Sequence, residues 1–208
     1  MTKGLLSLRS RLVAACGAFA CLLVGFTASP AFASRPPSID TTDCVAPVLS
    51  QPFLSIKDRH WYTLAPGQTV DNFDGSGWTL DGGAQIQTKN LADGLTGSVL
   101  DLPSGARAVS PKMCVNTGFR SARTMVRNVT GTGGVSFRVS YEGTKTWSRP
   151  KHSGRIHGKK SGWSASRRMN IKPSNVSGWQ LVHFIYVADA KHSDVQLSNF
   201  YIDPRMKG

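Results

Sequence analysis

Val135, Phe137, Val139 and Tyr141 alternate with Ser136, Arg138 and Ser140. No other feature limits the fold as much, because a period of two builds a sheet strand with one buried and one wet face. Gly131, Gly133 and Gly134 just before it can carry a chain reversal, so runs 122–130 and 134–142 are expected to form a hairpin. Further strands are expected at 60–64, 69–73, 83–88, 97–102, 107–110, 113–116, 165–171, 179–187 and 195–202. The run from Trp179 to Val187 is apolar on nearly both faces, as a central strand requires. The run from Val195 to Ile202 changes apolar phase midway, which calls for a bulge or an exposed aromatic face. No window beyond the first 33 residues carries a helical stripe of two turns. Short strands without helices are buried most economically as an all-β antiparallel β-sandwich.

The N-terminus reads differently. Lys3, Arg9 and Arg11 precede an apolar run from Leu12 to Phe26, and Ala31-Phe32-Ala33 places small residues where a signal peptidase cuts. Residues 1–33 are therefore expected to be a signal peptide, the run being too short for a bilayer that needs roughly 20 apolar residues. Residues 34–43 are polar and proline-rich, a flexible leader, and 44–208 form a single domain in this reading. Export leaves one cysteine pair, Cys44 and Cys114, for an oxidising compartment. A disulfide between them is expected to contribute roughly 2–5 kcal/mol.

The chain has a formal charge of +13, and the excess is local. Residues 34–104 hold four basic and eight acidic side chains, whereas residues 105–173 hold fifteen basic and one acidic. Such a segment attracts polyanions over long range. Within it Trp147, Arg149, Lys151, Arg155, Lys159, Lys160, Trp163, Arg167 and Arg168 interleave cations with two indoles, the candidate ligand-binding set. Cations would meet phosphates or carboxylates while a ring stacks on an indole. The plainer reading carries more weight: the two tryptophans anchor a long irregular loop, 143–162, and the cations solvate it. Trp78 and Trp179 each follow a glycine and open a strand, positions suited to core support.

Catalytic signals are weak. The single glutamate is Glu142, the aspartates are scattered, and no GxSxG, HExxH, P-loop or dinucleotide fingerprint occurs. His152 and His157 stand five apart, but in a segment dense with Lys and Arg that disfavours a bound cation; His60, His183 and His192 read as ordinary polar residues on a sheet face or near strand ends, and no cofactor is implied. Asp40, Asp43, Asp71 and Asp74 are compositional suspects for a structural calcium ion.

Several stretches carry a family resemblance. They are Cys44, Gln51-Pro52-Phe53, Trp61 to Gly67, Gly77 to Ala84, Ser98 to Gly105, Ser110 to Val115 and Asn199 to Pro204. Together they resemble secreted actinobacterial proteins of unknown function with a jelly-roll, galactose-binding-like domain. That resemblance implies a carbohydrate-binding-module-like sandwich. Family members end with a tryptophan, an Ile-Asp-Asp and a short aromatic strand. Here Val195 to Asn199 stands in that place, so the carboxylate pair is absent, and with it a candidate for calcium or acid–base chemistry.

The leading expectation is a secreted or cell-wall-associated, non-catalytic, monomeric β-sandwich that binds a cell-envelope or extracellular glycan. An electrostatic binder of anionic polymer, either wall polymer or nucleic acid, through 145–168 is the alternative. A structural surface protein without a ligand is a third class, and a hydrolase stands last.

Overall fold

A computed structural model describes residues 38–205 except 71, 92–93, 175–177 and 191–192, with the side chain of Ser193 also undescribed. The expected signal peptide and the first part of the leader lie outside the described residues.

Thirteen strands are assigned among the described residues: β1 (Thr63–Leu64), β2 (Thr79–Asp81), β3 (Gln85–Asn90), β4 (Thr96–Pro103), β5 (Arg107–Val109), β6 (Met113–Val115), β7 (Ser121–Gly131), β8 (Val135–Tyr141), β9 (Lys151–Ile156), β10 (Ser164–Ala165), β11 (Met169–Asn170), β12 (Gln180–Ala188) and β13 (Ser193–Asp203). They form an all-β antiparallel sandwich of jelly-roll type. One sheet runs β10-β7-β13-β4-β3, with β1 beside β13 and β11 beside β7. The other runs β2-β5-β12-β8-β9, with β6 beside β12.

Alternation explains the core. Leu100, Leu102, Val126, Val195 and Leu197 of the first sheet meet Ala108, Phe137, Val139, Val182, Phe184 and Tyr186 of the second, all buried. Phe200 joins the layers, its ring centroid 5.1 Å from Phe184, 5.5 Å from Phe137 and 5.3 Å from Tyr186. It reaches them because β13 is bulged: the register skips between Ser198 and Phe200, and Asn199 has φ 51°. The phase change at 195–202 is thus a bulge, with Phe200 and Tyr201 both buried.

Cys44 and Cys114 are bonded, Cα to Cα 5.6 Å, which ties the N-terminal segment to β6. From there the chain crosses to the outside of the seven-stranded sheet. A 3₁₀ turn, Leu54–Ile56, follows Phe53, and Phe53, Tyr62 and Tyr201 form a small second core on that outer face. Trp78 stacks on Tyr186 at 5.9 Å and donates from Nε1 to Pro66 O, and Trp179 packs on Phe119, so both support the core.

Four expectations need correction. The runs 122–130 and 134–142 are not a hairpin: β7 pairs with β13, β10 and β11, β8 pairs with β12 and β9, and the glycines carry the chain between sheets. The described residues of the 69–73 run form no strand, and Thr69 N–H instead donates to Asn72 O. The 165–171 run is two short strands, parted where Ser166 Oγ accepts from Thr124 N–H at 3.1 Å. The long loop 143–162 contains β9, an edge strand in which only Ile156 is buried. A strand without apolar alternation leaves no period to read.

Candidate functional site

The structure disperses the nine basic and indole candidates. Trp147 lies on the outside of the six-stranded sheet, its ring 4.0 Å from that of His183 and capped by Lys112 Nζ at 5.8 Å. Lys151 leaves β9 to sit over Tyr141 at 5.6 Å, while Arg149 and Lys160 are exposed. Trp163 lies on the other sheet, where its Nε1 donates to Asn90 O at 2.9 Å and the Arg127 guanidinium covers its ring at 4.9 Å. The two indoles therefore do not form one platform. Arg155, Lys159, Arg167 and Arg168 do converge, lining a cavity of about 700 Å³ at the side of the sandwich.

The other polar candidates have local duties. Asp40 accepts from Thr42 N–H and Asp74 from Ser76 N–H, as turn caps do, and Asp43 is exposed. Hydrogen bonding to Thr42 holds the Asp40 carboxyl below its usual range. Asp71 and His192 lie outside the described residues. His60 Nδ1 meets Asp203 Oδ2 at 3.1 Å, and His183 Nδ1 meets Ser110 O at 2.7 Å. Among the described residues no group of three His, Cys, Asp or Glu could hold a metal ion. No helix among them is long and apolar enough to cross a membrane.

The outside of the seven-stranded sheet carries a cluster of polar side chains that the basic segment did not suggest. Ile86, Leu100, Val126 and Leu197 point into the core, so alternation turns Gln85, Gln87, Asp101, Arg127 and Gln196 outward on β3, β4, β7 and β13. Asp101, only 5% exposed, accepts from Gln196 Nε2 at 2.7 Å, Gln87 Nε2 at 3.1 Å and Gln85 Nε2 at 3.4 Å. Gln196 Oε1 in turn accepts from Arg127 Nε at 2.7 Å, and Arg127 stacks on Trp163. The result is a line of planar amide and guanidinium groups from β3 to the residue before β10, ending on an indole. Asp194 lies beside it. Burial, and next the charge and hydrogen bond of Asp101, push its carboxyl above the usual range.

This line adjoins a cavity of about 480 Å³ on the same face, reached through Met125 and Ser198, each two residues from a member of the line. Phe53, Ile56, Leu91 and Tyr201 supply apolar walls, and the bulge at Asn199 supplies a polar floor. Gln68 answers the backbone that the bulge releases, its side chain pairing with both Phe200 N–H and Phe200 O. Asn199 Nδ2 donates to Thr69 O and Val70 O, holding that segment at the mouth. Ile56 is 48% and Val70 63% exposed. An apolar cavity beside a few fixed polar groups is the usual form of a small-ligand or saccharide site. The alternating Gln85-Ile86-Gln87 and Gln196-Leu197-Ser198 were the available signal, amides projecting from a face whose opposite side is apolar.

Comparison with protein-family models gives no match, and comparison with curated proteins gives none. Among solved structures the chain is similar to the CBM22-1 xylan-binding domain of Xyn10C from Paenibacillus barcinonensis, at 16% identity, covering 61% of this chain and 85% of that one, with a TM-score of 0.42. It is also similar to the CBM22-1-GH10 modules of Clostridium thermocellum endo-1,4-β-D-xylanase 10B, at 18% identity, covering 64% and 26%, TM-score 0.46. A third is CsCBM6-3 from Clostridium stercorarium, solved with cellobiose, at 17% identity, covering 60% and 86%, TM-score 0.38.

Proposed function

We propose that this protein is a non-catalytic binding module, exported by its N-terminal 33 residues, that holds a neutral stretch of a cell-envelope or extracellular glycan on the outside of its seven-stranded sheet. The observation that carries this reading is the amide and guanidinium line centred on Asp101, next to an apolar cavity. Planar amides with spare donors and acceptors suit vicinal hydroxyls, and apolar walls suit the C–H face of a sugar ring. The members of the network hydrogen-bond to one another, so each holds its neighbour's orientation.

The test is titration of the disulfide-intact protein with neutral oligosaccharides of several linkages. Affinity for at least one is expected to be insensitive to salt, and Gln87→Ala and Arg127→Ala are each expected to weaken it about tenfold. Failure to bind any neutral glycan removes this reading.

A further inference from the structure

We infer that the side of the sandwich where β9 faces β10 and β11 is a second binding site, for a linear polymer that bears an anionic group on each repeat and no aromatic rings. Two cavities, of about 700 and 470 Å³, adjoin there and share Arg168 as a lining residue. Arg155, His157, Lys159 and Arg167 line the first with it, and Arg120, Lys172 and Arg205 line the second. Among the described residues neither cavity is lined by an Asp or Glu. Asp189 partners Arg155 and Asp58 partners Arg168, but among the described residues no ion pair engages Lys159, Arg167, Arg120 or Lys172.

The groove is built rather than draped. β9 approaches β11 so closely at Gly154 that a Cβ there would stand 2.9 Å from Met169 Cγ. The crossover from β9 to β10 is pinned at Gly158, whose N–H donates to Asn128 Oδ1 at 3.0 Å while Lys159 O accepts from Asn128 N–H at 3.3 Å. Arg168, still 42% exposed, is held at its other edge by Asp58. Cations fixed along two adjoining cavities match a chain of repeating charges better than a single ion.

The lining also selects among polyanions. Among the described residues it contains no Phe, Tyr or Trp; its one ring is the His157 imidazole, and the rest of its uncharged part is Ser, Ala, Gly, Thr, Asn, Pro, Ile and Met. Single-stranded nucleic acid is held by successive bases stacked on several aromatic side chains, and the lone imidazole of His157 offers one ring at most. Polymers of sugar or polyol carrying phosphate or carboxylate need only the cations.

The experiment titrates the disulfide-intact protein with poly(glycerol phosphate), a neutral dextran and a single-stranded oligonucleotide of equal charge, at low and near-physiological salt. Poly(glycerol phosphate) is expected to bind at low salt and to weaken steeply as salt rises. Arg167→Glu and Lys172→Glu, both at exposed positions, are each expected to lower its affinity about tenfold, whereas Arg167→Lys keeps most of it and Gln87→Ala leaves it unchanged. No binding at low salt, binding indifferent to both charge reversals, or equal or tighter binding of the oligonucleotide overturns the inference. Because Gln87 belongs to the other face, failure of the neutral-glycan reading shows separately.

Discussion

Asp58 accepts a hydrogen bond from Arg168, Nη2 to Oδ1 3.0 Å, across 110 residues of sequence. The same carboxylate accepts from the Tyr62 hydroxyl at 2.8 Å and pairs with Arg123, whose guanidinium also covers the Phe53 ring at 5.1 Å. One nearly buried aspartate thus fastens the N-terminal strap that walls the apolar cavity and orients a cation of the side groove.

That connection is pH-dependent. Burial pushes the Asp58 carboxyl up, but hydrogen bonds from Tyr62, the His60 amide and Arg123, and the charge of Arg168, outweigh it and hold it down at about 2. A depressed folded value adds stability that is complete above the unfolded value of about 3.9 and fades as pH falls through about 2. Asp58→Asn is expected to cost about 2 kcal/mol at pH 7, with the difference from the parent closing between pH 4 and 2. Denaturant unfolding at several pH values measures it, and a gap that persists unchanged at pH 2 contradicts the assignment.

Reduction of the Cys44–Cys114 bond is expected to release the chain around Cys44 from β6 and to remove a cross-link that spans 70 residues. The expected loss is about 2–5 kcal/mol. Cys44→Ser should show the same lowering of Tm and be indifferent to reductant. A reductant-sensitive Tm in that variant would point to another cause.

Fold class, the disulfide and the β13 bulge were legible because each has a local cause: alternation, the one cysteine pair beyond the expected signal peptide, a phase shift from Val195 and Leu197 to Phe200 and Ile202. Pairing partners were not. The glycines at 131–134 suit a hairpin and an inter-sheet crossing equally, and only the burial of both β7 edges by β13, β10 and β11 decides. The proposed sites were legible only in part. Charge density singles out Arg155, Lys159, Arg167 and Arg168, which the fold places around one cavity, but not Arg120 and Lys172, which line the adjoining cavity from the ends of β7 and β11. The Asp101 line joins four strands from distant parts of the chain, so no window contains it.

Asp194 is kept at a cost. Its carboxyl is raised by burial and then by Asp101, and its Oδ1 is buried with no hydrogen-bond partner among the described residues. A raised folded value favours the protonated form, so the carboxylate opposes folding once pH exceeds the unfolded value. Asp194→Asn is therefore expected to stabilise the protein at pH 7 and to make no difference at pH 3. Thermal melts at the two values compare them directly; destabilisation at pH 7 would mean that the charge supports the glutamine line instead.

Gly158 sits where a Cβ would lie 2.5 Å from both Arg127 C and Asn128 N, backbone atoms of β7 that cannot rotate away. Gly158→Ala is expected to cost about 1–3 kcal/mol and to loosen the crossover. Poly(glycerol phosphate) affinity should fall in the folded variant, because Lys159 follows directly. Unchanged stability would show that the crossover is not pinned there.

The two indoles of the basic segment offer the sharpest separation of support from recognition. Trp147 packs on His183 and carries Lys112 on the outside of the six-stranded sheet, and it lines neither the apolar cavity nor the two cavities of the side groove. Trp163 closes the amide and guanidinium line through Arg127. Removing a partly buried indole costs about 2 kcal/mol where it only packs. Trp147→Ala is expected to show that loss in denaturant unfolding while leaving neutral-glycan and poly(glycerol phosphate) affinities intact. Trp163→Ala is expected to weaken neutral-glycan binding about tenfold, since Arg127 loses the surface that orients it. If instead the folded Trp147→Ala variant loses ligand and the Trp163→Ala variant keeps it, recognition belongs to the six-stranded sheet, where Lys112 and Glu142 already flank the ring.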